Sequence, residues 1–229
     1  MEFTDWEPAY ESILADFGYD READELARDV LADLTRPFDV GRIDVAGDAV
    51  AVAGGAATLG DELDRVREAD SVFAASNAAA TLREAGVSVD AVVTDLDKVP
   101  ATARELSREG TPVAVHAHGD NVPAVEEHVP TFDRDWVLPT TQAAPRGPVR
   151  NFGGFTDGDR AAFLADHLGA GRLLFPGWDL DDDSVSDAKR HKLRWAARLL
   201  RWLERRRGQR FGLLDGRRAD LDLPWLGVP

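Results

Sequence analysis

The chain has 229 residues, is 44% hydrophobic and carries 42 Asp and Glu against 27 Lys and Arg, a formal charge of −15. Such a surplus would repel phosphates over most of the surface, which argues against a general nucleic-acid or anionic-membrane binder. The absence of cysteine removes any disulfide frame, thiolate nucleophile or zinc-finger type site.

Residues 4 to 36 place apolar side chains at helical spacing: Trp6, Tyr10, Ile13, Leu14 and Phe17, then Leu26, Val30, Leu31 and Leu34, with a break at Gly18 and a stop near Pro37. This predicts an N-terminal helical appendage over residues 1–40. The opening MEFTDWEPAYESILADFG lacks the basic and apolar regions of a secretion signal, and no segment approaches the roughly 18 apolar residues of a membrane span. A cytoplasmic protein is expected, and the Lys-poor, Asp-rich, Ala- and Val-rich composition suits a salt-rich cytoplasm.

From Ile43 the texture changes to short β-branched runs, each followed by small or acidic residues and a helix-period segment. The runs are DAVAVAGG, SVFAASN, VDAVVTDLD, TPVAVHAHGD, DWVLPTTQ and GRLLFPGWDLD, with ATARELSREG and RAAFLADHLGAG between them as crossover helices. Runs apolar on successive residues suit strands covered on both faces. The expected class is α/β, a mostly parallel, doubly wound, Rossmann-like sheet over residues 41–210, with ligands beyond the carboxyl ends of the strands.

The third run ends in Asp95-Leu-Asp97. In an extended segment the two carboxylates project to one side, where they can share a hard cation such as Mg²⁺ with water and substrate phosphate oxygens. A solvated Asp-rich turn would carry the same letters, and so would a phosphatase that uses the first Asp as nucleophile. In the fourth run, period-two alternation puts His116 and His118 on one face, ahead of Gly119-Asp120-Asn121. Either imidazole can titrate near neutrality or take a proton from an attacking hydroxyl, although a single strand histidine is more often a satisfied core residue.

Further along, Arg150-Asn-Phe-Gly-Gly-Phe-Thr-Asp-Gly-Asp-Arg160 joins a glycine pair to a helix start. There Thr156 and Asp159 have the spacing of a capping box, and the free backbone N–H groups can receive an anion with help from Arg150 or Arg160. A well-capped helix and nothing more is the plainer alternative. Residues 189–210 carry ten Lys and Arg against one acidic residue, on a helix whose apolar stripe is Leu193, Ala196, Ala197, Leu200 and Leu203. Ser186 or Asp187 is placed to cap it. Arg205 to Arg207 complement its dipole, while Lys189 and Lys192 at its start are better placed to meet a polyphosphate. Gly54-Gly55 and Asn77 mark two more strand-to-helix turns suited to close ligand approach. The tail 211–229 is irregular, and either packs through Leu221, Leu223 and Trp225 or frays. No GxxxxGK[ST] motif and no full dinucleotide fingerprint occurs.

Taken together, VVTDLDK, VAVHAHGDN, TTQAAP, NFGGFTDGDRA, PGWDLD and KRHKLRWA resemble the archaeal 6-hydroxymethyl-7,8-dihydropterin pyrophosphokinase family, known as MptE. The likeness spans nearly the whole chain. That family joins the pyrophosphate of ATP to a pterin alcohol and is similar in layout to thiamine pyrophosphokinases.

The resemblance implies Mg²⁺ at Asp95 and Asp97, catalytic roles for His116, His118 and Asp120, and His116 or Asp120 as proton acceptor. It implies nucleotide or phosphate contacts from Gly54, Asn77, Asn151, Gly154, Arg160, Lys189 and Lys192. Pterin contacts are implied for Asn121, Thr141, Gln142, Asp157, Asp159 and Asp179. ATP and a pterin alcohol are the expected partners, with self-association left open.

Two departures stand out. Where the family commonly has Ala-Asp-Gly-Ala the chain reads Ala75-Ser-Asn-Ala78, without an acidic side chain at Ser76, and its first glycine turn is GGAATL rather than a Gly-Pro-Ser-Leu type. The competing expectations are a diphosphokinase for another alcohol such as thiamine, an Asp95 phosphatase, and a nucleotide- or pterin-binding domain without turnover.

Overall fold

In the computed structural model, which describes residues 1–226, two N-terminal helices, α1 (Phe3–Phe17) and α2 (Arg21–Leu34), precede the sheet. Gly18, left-handed at φ 67°, closes α1, and the Asp20 side chain opens α2 by accepting from Glu22 N. The six apolar runs become β1 (Ala49–Ala53), β2 (Ser71–Ala75), β3 (Ala91–Thr94), β4 (Val113–Ala117), β5 (Val137–Thr141) and β6 (Arg172–Leu174). They form one all-parallel sheet in the order β5-β4-β3-β2-β1-β6. The doubly wound α/β class expected from the runs is the class observed.

Helices α3 (Leu63–Arg67), α4 (Ala78–Glu84), α5 (Pro100–Arg108) and α6 (Val122–His128) connect β1 through β5, and α7 (Asp157–His167) carries the chain back over β1, β2 and β3 to β6 at the far edge. Side chains alternate across each strand, so the sheet feeds two cores. Val50, Val52, Phe73 and Val93 face one, with α1, α7 and the last helix, α8 (Asp187–Arg207); Ala51, Val72, Val92 and Val115 face the other, with α3 to α6.

The N-terminal pair belongs to both cores, with Trp6, Tyr10 and Ile13 of α1 in the first and Ala27 and Leu31 of α2 in the second. Trp6 stacks on Trp202 of α8 at 6.4 Å between ring centroids. Packing of this kind brings α2 beside β4, β5 and α6, which matters for the cleft.

Ser186 caps α8 by accepting from Lys189 N. The buried stripe of α8 differs from the sequence pattern: Trp195, Leu199 and Trp202 are buried beside Ala196, Ala197, Leu200 and Leu203, whereas Leu193 is only half-buried and lines the cleft. The tail covers the two tryptophans: Trp225 stacks on Trp195 at 5.6 Å and meets Trp202 edge-on, and Leu223 is buried. Glu204, only 3% exposed, accepts from Phe211 N and from Arg218. The tail therefore packs up to Leu226; residues 227–229 lie outside the described residues. Arg207 bonds Asp166 and Ala170 O, and Arg206 lies over the Trp202 ring near Asp5. Among the described residues no helix is long and apolar enough to cross a membrane.

Candidate active site

The carboxyl ends of β1 to β5 open into a cleft of about 710 Å³, within the size range of sites for small organic ligands. Its acidic floor follows β3. Thr94 Oγ1 accepts from Leu96 N at 3.0 Å and Asp95 accepts from Asp97 N at 3.2 Å, while Leu96 turns left-handed at φ 68° and buries its side chain. Asp95 and Asp97 thus meet through a tight turn, where an extended segment was expected. Asp157, the first residue of α7, brings a third carboxylate, and one oxygen from each lies within 4.8 Å of the others.

Three carboxylates so close repel one another, and their proton affinities diverge. Burial raises that of Asp95, but the neighbouring His118 imidazole and the charge of Arg160 outweigh it and hold Asp95 well below the ordinary carboxylate range. Burial and the Asp95 charge push Asp157 up to about 7, and burial with Asp95 also raises Asp97. Arg160, 6% exposed, sets Nη1 at 3.0 Å from Asp157 Oδ1 and 4.0 Å from Asp95 Oδ2. An all-oxygen donor set of three carboxylates, whose repulsion a single arginine offsets only in part, fits a hard divalent cation. Asp157, expected at the pterin, lines the cleft as a member of the acidic cluster.

Past β4, His118, Gly119 and Asp120 line the cleft. His118 Nε2 is 3.6 Å from Asp95 Oδ2, and its Nδ1 receives Asp120 N at 3.4 Å. His116 does not reach the cleft. It is 2% exposed, and burial with the Arg160 charge holds its imidazole well below the usual range. Thr140 Oγ1 gives its own hydrogen to Val115 O at 3.0 Å, so it receives Nδ1–H of His116 at 3.1 Å. The period-two reading is right about the shared face; its chemical inference fails because β4 is buried at His116 and opens only at His118.

Lys98, Lys189 and Lys192 all line the cleft. These are the only three lysines in a chain with 24 arginines, so every lysine of the chain lines this cleft. Burial and the charge of Lys98 lower the Lys189 ammonium from its ordinary range. Gly54, Gly55, Ser76 and Asn77 supply the wall after β1 and β2, and Gly177, Trp178 and Asp179 the wall after β6. Ser76 is left-handed at φ 52°, with Oγ buried and unpartnered among the described residues, at the turn where the sequence departs from the resembled pattern.

Five more expected contacts are structural ties. Asn121 bonds Asp95 O, His116 O and His118 N. Thr141 Oγ1 accepts from Ala143 N. Asn151 holds Gln142 O, Ala143 O and Gly153 N. Gly154 is tight backbone at φ 94°, where a Cβ would lie 2.6 Å from Arg160 N. Asp159 is wholly buried, accepting from the main chain at Phe155 and Thr156 and from Thr156 Oγ1. The capping box is real, and it uses up the Asp159 side chain. Gln142 does line the cleft.

Sequence reading missed Lys98, Ser76, Trp178 and the whole contribution of Gly18 to Asp24 to the cleft wall. A signal for Asp24 was present: it shares the buried face of α2 with Ala27, Arg28 and Leu31, and a carboxylate on an apolar helical stripe needs a polar partner.

A parallel α/β sheet carrying an acidic cluster, a buried arginine and three lysines at its carboxyl edge defines an enzyme built for negatively charged phosphate chemistry. Over residues 22–184 the sequence matches the family described as 6-hydroxymethylpterin diphosphokinase MptE-like. The 6-hydroxymethyl-7,8-dihydropterin pyrophosphokinase of Methanothermobacter thermautotrophicus is 41% identical over 225 residues, 90% of this chain and 96% of that protein. Proteins of the same name from Pyrococcus furiosus and Methanocaldococcus jannaschii are 37% and 28% identical, each over 89% of this chain and 95% and 96% of their own length. The chain belongs to the MptE-like 6-hydroxymethylpterin diphosphokinase family, and is a diphosphotransferase.

Proposed function

We propose that the protein transfers the terminal diphosphate of ATP to the hydroxymethyl oxygen of 6-hydroxymethyl-7,8-dihydropterin, giving AMP and the pterin diphosphate. The reaction belongs to cytoplasmic biosynthesis of folate- or methanopterin-type cofactors. The observation that carries this reading is the gathering of Asp95, Asp97 and Asp157 with Arg160 and all three lysines in the lining of one cleft, in a chain whose relatives bear that pyrophosphokinase name.

Asp95, Asp97 and Asp157 would hold Mg²⁺, which supplies neutralisation of charge on the phosphate oxygens. Lys98, Lys189 and Lys192 bind the polyphosphate and hold its β-phosphorus in line with the attacking alcohol. Arg160 completes the cationic surround in a largely dry setting, where its charge counts for more than in water. His118 directs Nε2 toward Asp95 and receives Asp120 N at Nδ1, so its lone pair is engaged. Asp120, exposed in the cleft, is then the side chain that accepts the alcohol proton.

The test is incubation with ATP, Mg²⁺ and 6-hydroxymethyl-7,8-dihydropterin in high-salt buffer, with nucleotides separated and the pterin product weighed. AMP formed in step with a pterin diphosphate supports the reading. Survival of ATP, or conversion to ADP or bare phosphate, rejects it.

A further inference from the structure

One charged side chain in the cleft wall has no part in the transfer chemistry above. Asp24 of α2 is 3% exposed and accepts three hydrogen bonds: Gly119 N to Oδ1 at 2.8 Å, and Tyr10 OH at 2.7 Å and Gln142 Nε2 at 2.8 Å to Oδ2. Its donors come from the loop after β4, from α1 and from the end of β5. The approach is close, since a Cβ on Gly119 would lie 2.8 Å from Ala23 Cβ.

The chemistry of its two neighbours fixes how the Gln142 amide lies. A carboxylate offers only acceptors and a guanidinium only donors. Gln142, also 3% exposed, turns Nε2 to Asp24 and receives Arg160 Nη2 on Oε1 at 3.4 Å. Turned over, it would set NH₂ against guanidinium and oxygen against carboxylate, two buried mismatches at once. The same guanidinium bonds Asp157 and stands beside Asp95, so the orientation of one amide reaches the acidic cluster.

We infer that Asp24 is a positioning residue: it orients the Gln142 amide so that its oxygen holds the Arg160 guanidinium against Asp157 and Asp95. The kinetic consequence rests on the transfer reaction proposed above; the orientation itself does not.

Asp24→Asn keeps the shape of the side chain but exchanges one acceptor for a donor. With its oxygen still taken by Gly119, the new NH₂ faces Gln142, which can answer only by turning over and presenting its own NH₂ to Arg160. Gln142→Glu alone sets two carboxylates together. Combined, the two substitutions restore the pattern, because a carboxylate at 142 accepts from the new amide and from Arg160 while the net charge is unchanged.

Each single variant is expected to lower kcat about tenfold with KM for the pterin alcohol within about threefold, and the double to exceed either single by about fivefold. Melting temperatures should follow the same non-additive order. Wild-type kcat in Asp24→Asn, or a double variant no better than the product of the singles, overturns the inference. If the wild type makes no AMP from ATP and the pterin alcohol, the transfer reading has failed instead. The melting cycle then decides the orientation alone: recovery in the double supports it, and additive losses overturn it.

Discussion

The side-chain amide of Asn121 donates to the main-chain carbonyl of Asp95 at 2.8 Å, fastening the loop after β4 to the turn after β3. The same amide reaches His116 O at 2.7 Å, and its oxygen takes His118 N at 2.9 Å. Asn121 thereby sets the spacing between His118 and the acidic cluster without facing the cleft. Asn121→Ala leaves three main-chain groups short of a partner, each worth about 1–3 kcal/mol when buried. With partial recovery by water, the expected loss is about 3 kcal/mol of unfolding free energy, read by denaturant titration, together with a fall in turnover. Unchanged stability would show that the tie carries no weight.

The acidic cluster makes its own prediction. Chelation of divalent ions by EDTA should abolish turnover, and Mg²⁺ should restore it. Asp95→Asn removes the carboxylate most firmly held ionised, and is expected to lower kcat by about 10²–10³ even at saturating Mg²⁺. Turnover that survives EDTA, or full activity in Asp95→Asn with Mg²⁺, would remove the cluster from the reaction.

How far the sequence discloses such a site depends on the distance over which its parts are assembled. The six strands are legible because parallel strands buried on both faces leave continuous apolar runs such as AVAVA and SVFAA. Asp95 and Asp97 are legible because a polar pair closes such a run. Asp157 joins them from 60 residues further along, and no local spacing announces that meeting. Asp159, two residues on, carries the same letter yet serves only the helix cap. His116 and His118 share a face, but which of them is covered depends on where β4 ends, and element boundaries are poorly marked by periodicity. Asp24 lies in helices that look separable in the sequence, and its partners Gly119 and Gln142 are 95 and 118 residues away.

The lysines can be probed as a set. Because Lys98, Lys189 and Lys192 are the only lysines and all line the cleft, an amine-directed acylating reagent has only these three side chains and the terminal amine to modify. Acylation should inactivate the enzyme, and ATP with Mg²⁺ should protect both activity and the lysines, counted by peptide mass. Inactivation that ATP does not slow, or full activity after all three have reacted, would argue against phosphate binding by these side chains. Lysines paired on an open surface would not show that protection.

His116 predicts a pH dependence of stability. Burial and the Arg160 charge hold its imidazole well below the ordinary range in the native state, whereas the unfolded chain takes up that proton at about pH 6.5. Below that pH the unfolded state binds more protons, so the contribution of His116 to stability falls with decreasing pH, by up to about 1.4 kcal/mol per unit, and is level above it. His116→Gln offers a side-chain N–H to Thr140 Oγ1 but has no proton to gain. Unfolding free energies of the two proteins, measured from pH 8 to 5 at constant high salt, should run parallel above about pH 6.5 and converge below it. The carboxylates common to both proteins cancel in that difference, so parallel curves throughout would mean that His116 takes up its proton in the native state at the same pH as in the unfolded chain, as it would if water reached it.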